Sequence, residues 1–166
     1  MTTLRDLVRD YQAAPDPSSL SRLRSAVRAS PNFQRDLVPA KVVAPLLEAG
    51  AYPELIETLQ RLMPGAFFSP AVHAALAEAH RRTGDDNAAQ REAGLAQAAL
   101  QSILSSGDGS AESPWSVLRL SDEYDVLQAL GRQPTGQRLI DVGGRRVDRH
   151  DCTDGTSYHF DVTELW

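Results

Sequence analysis

With 166 residues, 42% hydrophobic content and a single cysteine, Cys152, the chain can bury one core or two small ones and forms no intrachain disulfide. The charge is lopsided: residues 1–103 hold eleven basic and eleven acidic side chains, residues 104–166 hold six and eleven, so the whole net charge of −5 falls in the C-terminal part. A nucleic-acid binder needs a basic face that displaces counterions from phosphate, and an anionic membrane surface recruits Lys and Arg clusters, so the composition argues against both partners.

No apolar run approaches the roughly 18 residues of a membrane span. The opening Met1-Thr-Thr-Leu-Arg-Asp lacks the basic-then-apolar order of a signal peptide. Together with the lone cysteine, this predicts a reducing, cytoplasmic setting.

Leu4, Leu7, Val8 and Tyr11 follow the i, i+3, i+4, i+7 spacing of a helix, which Pro15-Asp16-Pro17 ends. Leu20, Leu23 and Val27 predict a second helix that stops before Pro31. Val42, Val43, Leu46 and Leu47 predict a third, closed by Gly50; Pro45 inside it implies a late start or a kink. Pro53 suits the first turn of a fourth, carrying Leu55, Ile56, Leu59, Leu62 and Met63 up to Pro64-Gly65. A fifth begins near Pro70, turns at Thr83-Gly84-Asp85-Asp86, and returns as a sixth over about Asn87–Leu104.

Gly50 and Gly84 occupy equivalent turns 34 residues apart, and a similar step back reaches the Pro15-Asp16 break. This predicts three helical hairpins forming a domain over residues 1–106. From Pro70 to Ala96 the chain resembles a tetratricopeptide unit, with Leu76, Ala77, His80, Gly84, Asp85, Ala89 and Ala96 at its large, small and turn positions. The resemblance implies a concave groove for a protein or peptide segment. His73, His80, Arg81 and Arg82 are its candidate partner-binding residues; an arginine pair suits a partner's carboxylate. The plainer alternative is a bundle that serves only as scaffold.

After Gly109 the periodicity changes. Trp115-Ser-Val-Leu-Arg-Leu120 reads as a strand, and Ser121 as the cap of a helix with Asp122 and Glu123 at its positive end. Tyr124, Leu127 and Leu130 form that helix's expected buried stripe, and Gly131 its stop. Three strand-like runs follow, separated by Gly143-Gly144 and Thr153-Asp154-Gly155, with Tyr158, Phe160 and Val162 on the core face of the last. The expected class is therefore α+β: the helical repeat, then a small antiparallel β-α-β-β-β module over residues 107–166. The series Gly107-Asp108-Gly109, Asp122-Glu123-Tyr124, Leu127, Gly131, Gln137 and Phe160-Asp161 resembles a family of uncharacterised bacterial proteins. Its members carry tetratricopeptide-like helices followed by a small domain of unknown function. The resemblance spans about Gln101 to Val162, departs from the family at Arg149 and His150, and implies architecture without an activity.

Two stretches invite a chemical reading. Gly107-Asp108-Gly109-Ser110 lacks the spacing of a calcium loop and the lysine of a phosphate loop, and reads as a joint between the two architectures. Around Asp148–Asp161, the residues His150, Cys152 and His159 are the candidates for a metal or nucleophilic site, although neither CxxC nor HExxH spacing is present. The leading expectation is a non-catalytic adaptor that binds a protein partner and needs no cofactor. The alternatives are a small enzyme or metal module at those three residues, and a structural subunit joined through an exposed sheet edge.

Overall fold

The computed structural model describes residues 2–166 and is α+β, with seven helices and a four-stranded sheet. Six helices come first: α1 (Leu4–Ala13), α2 (Pro17–Arg28), α3 (Pro39–Glu48), α4 (Tyr52–Gln60), α5 (Pro70–Arg82) and α6 (Asp86–Leu104). α1 packs on α2, α3 on α4, α4 on α5 and α5 on α6, and the turns between α3 and α4 and between α5 and α6 place Gly50 and Gly84 at positive φ. Local chemistry sets the starts. Thr3 and Asp6 cap α1 reciprocally, Asp16 and Ser19 do so for α2, and Ser69 and Asp85 accept from Val72 and Ala88 at the starts of α5 and α6. The third helix differs from expectation: it begins at Pro39, with proline in its first turn, and runs through Pro45.

The remainder comprises β1 (Trp115–Ser116), α7 (Leu120–Ala129), β2 (Pro134–Val142), β3 (Arg145–Cys152) and β4 (Ser157–Asp161), with a short 3-10 turn at Thr163–Leu165. The β-α-β-β-β order is present, but the sheet is mixed rather than antiparallel. The strands lie in the order β1-β4-β3-β2, and β1 pairs parallel to β4 with Trp115 opposite Phe160. Two hairpin turns bring β4 back beside β1 running the same way; Gly143 and Gly144, both at positive φ, make the first.

The predicted strand at Trp115–Leu120 is shorter than expected. Asp122 accepts the backbone N–H of Arg119 at 3.1 Å, which starts α7 at Leu120. Ser121 does not cap it; its hydroxyl donates instead to the Leu37 carbonyl at 2.9 Å. The buried face of α7 also differs. Val126 and Leu127 are enclosed, whereas Tyr124 is 47% and Leu130 38% exposed. The reason is chemical: Asp122 and Glu123 turn inward to polar partners and rotate the expected stripe partly outward.

Three apolar clusters hold the molecule together, and two of them join the first six helices to the C-terminal part. Leu23, Val27 and Phe68 enclose Leu118, while Ile103 of α6 packs among Trp115, Val126, Phe160 and Val162. Leu55, Leu59, Val72 and Leu76 form the third, within the helices.

The Gly107–Gly109 loop is a docking platform for the sheet. The Trp115 indole donates to the Gly107 carbonyl at 3.1 Å, and the Gly109 carbonyl accepts both the backbone N–H (2.9 Å) and Nδ1 (3.1 Å) of His159. Asp108 closes the turn on itself by accepting the Ser110 N–H. Gly109 has φ +79°, and a Cβ there would lie 2.7 Å from the Trp115 ring. Gly109→Ala is therefore expected to cost about 2–4 kcal/mol, from the left-handed backbone and the overpacked ring together. Urea unfolding followed by tryptophan fluorescence measures it; a cost below ~1 kcal/mol would mean that the loop yields.

Candidate functional site

The four residues expected to meet a partner are all on α5, but they do not share a surface. His73 is only 1% exposed. Its Nδ1 lies 2.7 Å from Glu92 and its Nε2 2.8 Å from the Phe67 carbonyl, so it ties α5 to α6 and to the preceding turn. The expectation that His73 lines a groove is thus corrected: one ring satisfies two internal groups. His80 is half-buried, while Arg81 and Arg82 are exposed and both pair with Glu78. Arg82 also lies over the Tyr52 ring of α4, 5.9 Å from its centroid. Of the four, Arg81 borders a hollow. It is about 310 Å³ and is lined also by Ala77, Asp86, Ala89, Gln90 and Ala93.

The three residues considered for a metal or nucleophilic site are not brought together. His150 and Cys152 alternate onto one face of β3 and are buried. His159 pairs with Arg149 in the register, which places it on the opposite face. Among the described residues no three His, Cys, Asp or Glu side chains converge as a metal site. His150 instead meets Glu123 at 2.6 Å, with both side chains fully buried, and Tyr124 and Phe160 pack edge-on against the imidazole. The neighbouring chain Tyr124–Gln137–Asp148 is joined by bonds of 2.7 and 2.8 Å.

Arg119 and Arg24 were not singled out by sequence reasoning, yet they organise the seam between helices and sheet. The fully buried Arg119 guanidinium donates to the Gln34 carbonyl at 3.0 Å and to the Gly65 carbonyl, and lies over the Phe33 ring at 4.6 Å. Arg24 of α2, 8% exposed, donates through Nη2 to the Ser116 carbonyl (2.9 Å) and hydroxyl (3.2 Å). Asp122 is the acid whose charge acts on both guanidiniums. Beside Arg24 opens the larger concavity, a cleft of about 570 Å³ between α2, the end of α6, β1 and the end of β4. That size is within the range of small-ligand sites.

Three consecutive parts of α7 carry acids in poorly solvated surroundings. Burial pushes Asp122 up to about 6, and pushes Asp125 up to about 7 with the like charge of Asp122 adding to it. Burial likewise raises Glu123, against the opposing hydrogen bond from His150. These groups are potential proton carriers, but the Glu123–His150 pair is closed to solvent, so no substrate reaches it in this arrangement. No family model, curated protein or solved structure matches the chain.

Two outcomes follow from these buried charges. Arg119→Ala would strip two carbonyls of their donor and leave Asp122 short of a counter-charge, for an expected loss of about 3–5 kcal/mol in urea unfolding. The raised acids give a pH dependence of definite sign. The folded state retains protons that the unfolded chain has released, so their contribution is complete below about pH 4 and fades as pH rises to about 7. Asp125→Asn is expected to flatten that fall when unfolding curves at about pH 5 and 7.5 are compared; an unchanged slope would assign the dependence elsewhere.

Proposed function

We propose that the chain is a non-catalytic interaction protein whose helices form a tetratricopeptide-like repeat and receive a helical segment of a protein partner. The reading belongs with the resemblance to bacterial proteins that join such helices to a small domain of unknown function, and a reducing, cytoplasmic setting suits its one buried, free thiol. No helix among the described residues is long and apolar enough to cross a membrane.

The outer face of α6 carries the proposal. Gln90, Ala93, Gly94, Gln97, Ala98 and Gln101 are all exposed and recur at i, i+3, i+4, i+7, i+8 and i+11. A helix face left to water ordinarily carries charge. This one carries none over three turns, and its small side chains let a second helix approach closely. The hollow bordered by Arg81 lies alongside it and shares Gln90 and Ala93. A partner helix seated on α6 would set a carboxylate near Arg81, where the guanidinium, now shared with Glu78, offers charge-assisted donors.

An enzymatic reading has less support, because the residues with the most reactive chemistry serve internal contacts. Self-association through the sheet edge has one observation in its favour: β2 is a nine-residue edge strand, almost wholly exposed, that carries Leu139 at 51% exposure. Its Pro134, the register shift by Gly136 and the charge on Arg138 are devices that blunt such an edge.

The deciding experiment is affinity capture from source-cell lysate, with wild type beside Ala98→Arg. Stoichiometric recovery of one protein, reduced at least about tenfold by Ala98→Arg at unchanged circular dichroism, is the expected result. The same protein captured equally by both, or a partner lost only on disruption of β2, would overturn the α6 reading. Charge reversal at Arg81 and Arg82 is expected to weaken capture by a smaller factor.

A further inference from the structure

The cleft at the seam is lined in a way that packing alone does not require. On α2 the residues Ser21, Arg24, Ser25 and Arg28 recur at i, i+3, i+4 and i+7 and all face the cleft, opposite the buried Leu23 and Val27. Ser105 and Ser106 at the end of α6 and Ser116 of β1 continue the polar lining. Surfaces that meet between elements are normally apolar; this one is built of hydroxyls and guanidiniums.

The donors and acceptors are unevenly distributed. On the α2 side, Arg24 Nη1 and Arg28 Nε are buried and without a partner, and Ser21 and Ser25 are exposed. On the α6 side, Ser105 donates to the Ser102 carbonyl and keeps its lone pairs, while Ser106 donates to the Ile103 carbonyl, accepts the Ser116 N–H at 2.8 Å and keeps one. The charge is also uneven. Arg28 pairs with Glu164 and Arg145 lies 3.9 Å from Asp161, whereas Arg24 has no carboxylate within 4 Å. The acids whose charge reaches it are both shared: Asp122 with Arg119, and Glu164 with Arg28. Three guanidiniums, Arg24, Arg28 and Arg119, to two carboxylates leave about one positive charge uncompensated beside the cleft.

The geometry points to a small-ligand site in this cleft for a carboxylic acid whose other end bears hydroxyl or amino donors. The carboxylate meets Arg24 and the Ser21 and Ser25 hydroxyls, and its charge supplies the missing negative partner. The donor end meets the lone pairs of Ser105 and Ser106. A phosphate dianion fits less well, because Asp161 and Glu164 stand on the far wall and only one charge awaits compensation. The site is distinct from the α6 face described above and does not depend on it.

The test is calorimetric titration of the full chain with four probes: sodium gluconate as a hydroxy acid, glutamine as an amino acid, sorbitol as a neutral polyol, and inorganic phosphate. One-to-one binding of gluconate or glutamine at millimolar affinity or better, with sorbitol silent and phosphate weaker, is the expected result, and which of the two binds identifies the donor end. Arg24→Gln is expected to weaken binding at least about tenfold. Because Arg24 is also structural, Ser21→Glu provides the second variant: Ser21 is exposed, and the new carboxylate, one helical turn from Arg24, takes the ligand's place with the fold retained. Unchanged affinity in Ser21→Glu, sorbitol binding as well as gluconate, phosphate binding tighter than either acid, or no binding by any probe would each overturn the assignment.

Discussion

The two halves of the molecule are joined by a buried charge that has no ion-pair partner of its own. Arg119 reaches from the start of α7 into the helices, where it donates to the Gln34 and Gly65 carbonyls and covers the Phe33 ring. A guanidinium stripped of water is costly unless its donors are used, so each of these contacts must form for the arrangement to exist at all. Much of the neighbouring structure is shaped to permit this. Gly65 has no room for a side chain, since a Cβ would lie 2.3 Å from the Asn32 carbonyl oxygen, and the Asn32 side chain in turn accepts the Gly65 N–H. Asp122 turns inward beside the same guanidinium. That rotates α7 so that Glu123 meets His150 and Tyr124 is left half outside.

Burial of charge at one end of α7 therefore explains features far from it. The acids at its start are where a dipole argument would place them, yet their role is internal: Asp122 faces Arg24 and Arg119, and Glu123 bonds His150. The same pattern separates residues with reactive chemistry from residues available to react. His73, His150 and Cys152 are enclosed, and His159 holds the Gly109 carbonyl. What remains open to a partner or ligand is made of small side chains, hydroxyls and guanidiniums.

The helices were legible because their signals are local: prolines at first turns, glycines 34 residues apart, and apolar spacing that survives in the structure. The order β-α-β-β-β was legible for the same reason, through Gly143-Gly144 and Asp154-Gly155. The position of β1 beside β4 was not, because parallel pairing between Trp115 and Phe160 leaves no trace in the periodicity of either segment. Nor was the inward turn of Asp122 and Glu123, since acids at a helix start satisfy the dipole in water equally well. The polar stripe Ser21-Arg24-Ser25-Arg28 did carry a readable signal, the same helical spacing as the apolar one. It looks like an ordinary solvated face until α6, β1 and β4 close around it.

The length of α6 has a consequence for how the chain could be divided. Its 19 residues span about 28 Å, against about 20 Å for the 13 residues of α5. The surplus turns carry Leu100, Ile103 and Leu104 beyond the helical stack and into the sheet's core. The helix is thus owned by both halves, and no cut near residue 106 separates them cleanly: one fragment would carry a bare apolar tip, the other an open socket. In evolutionary terms, the C-terminal module is portable only together with the strut that fills it, so recombination that preserved its fold would have to carry its breakpoint upstream, toward the turn at Gly84.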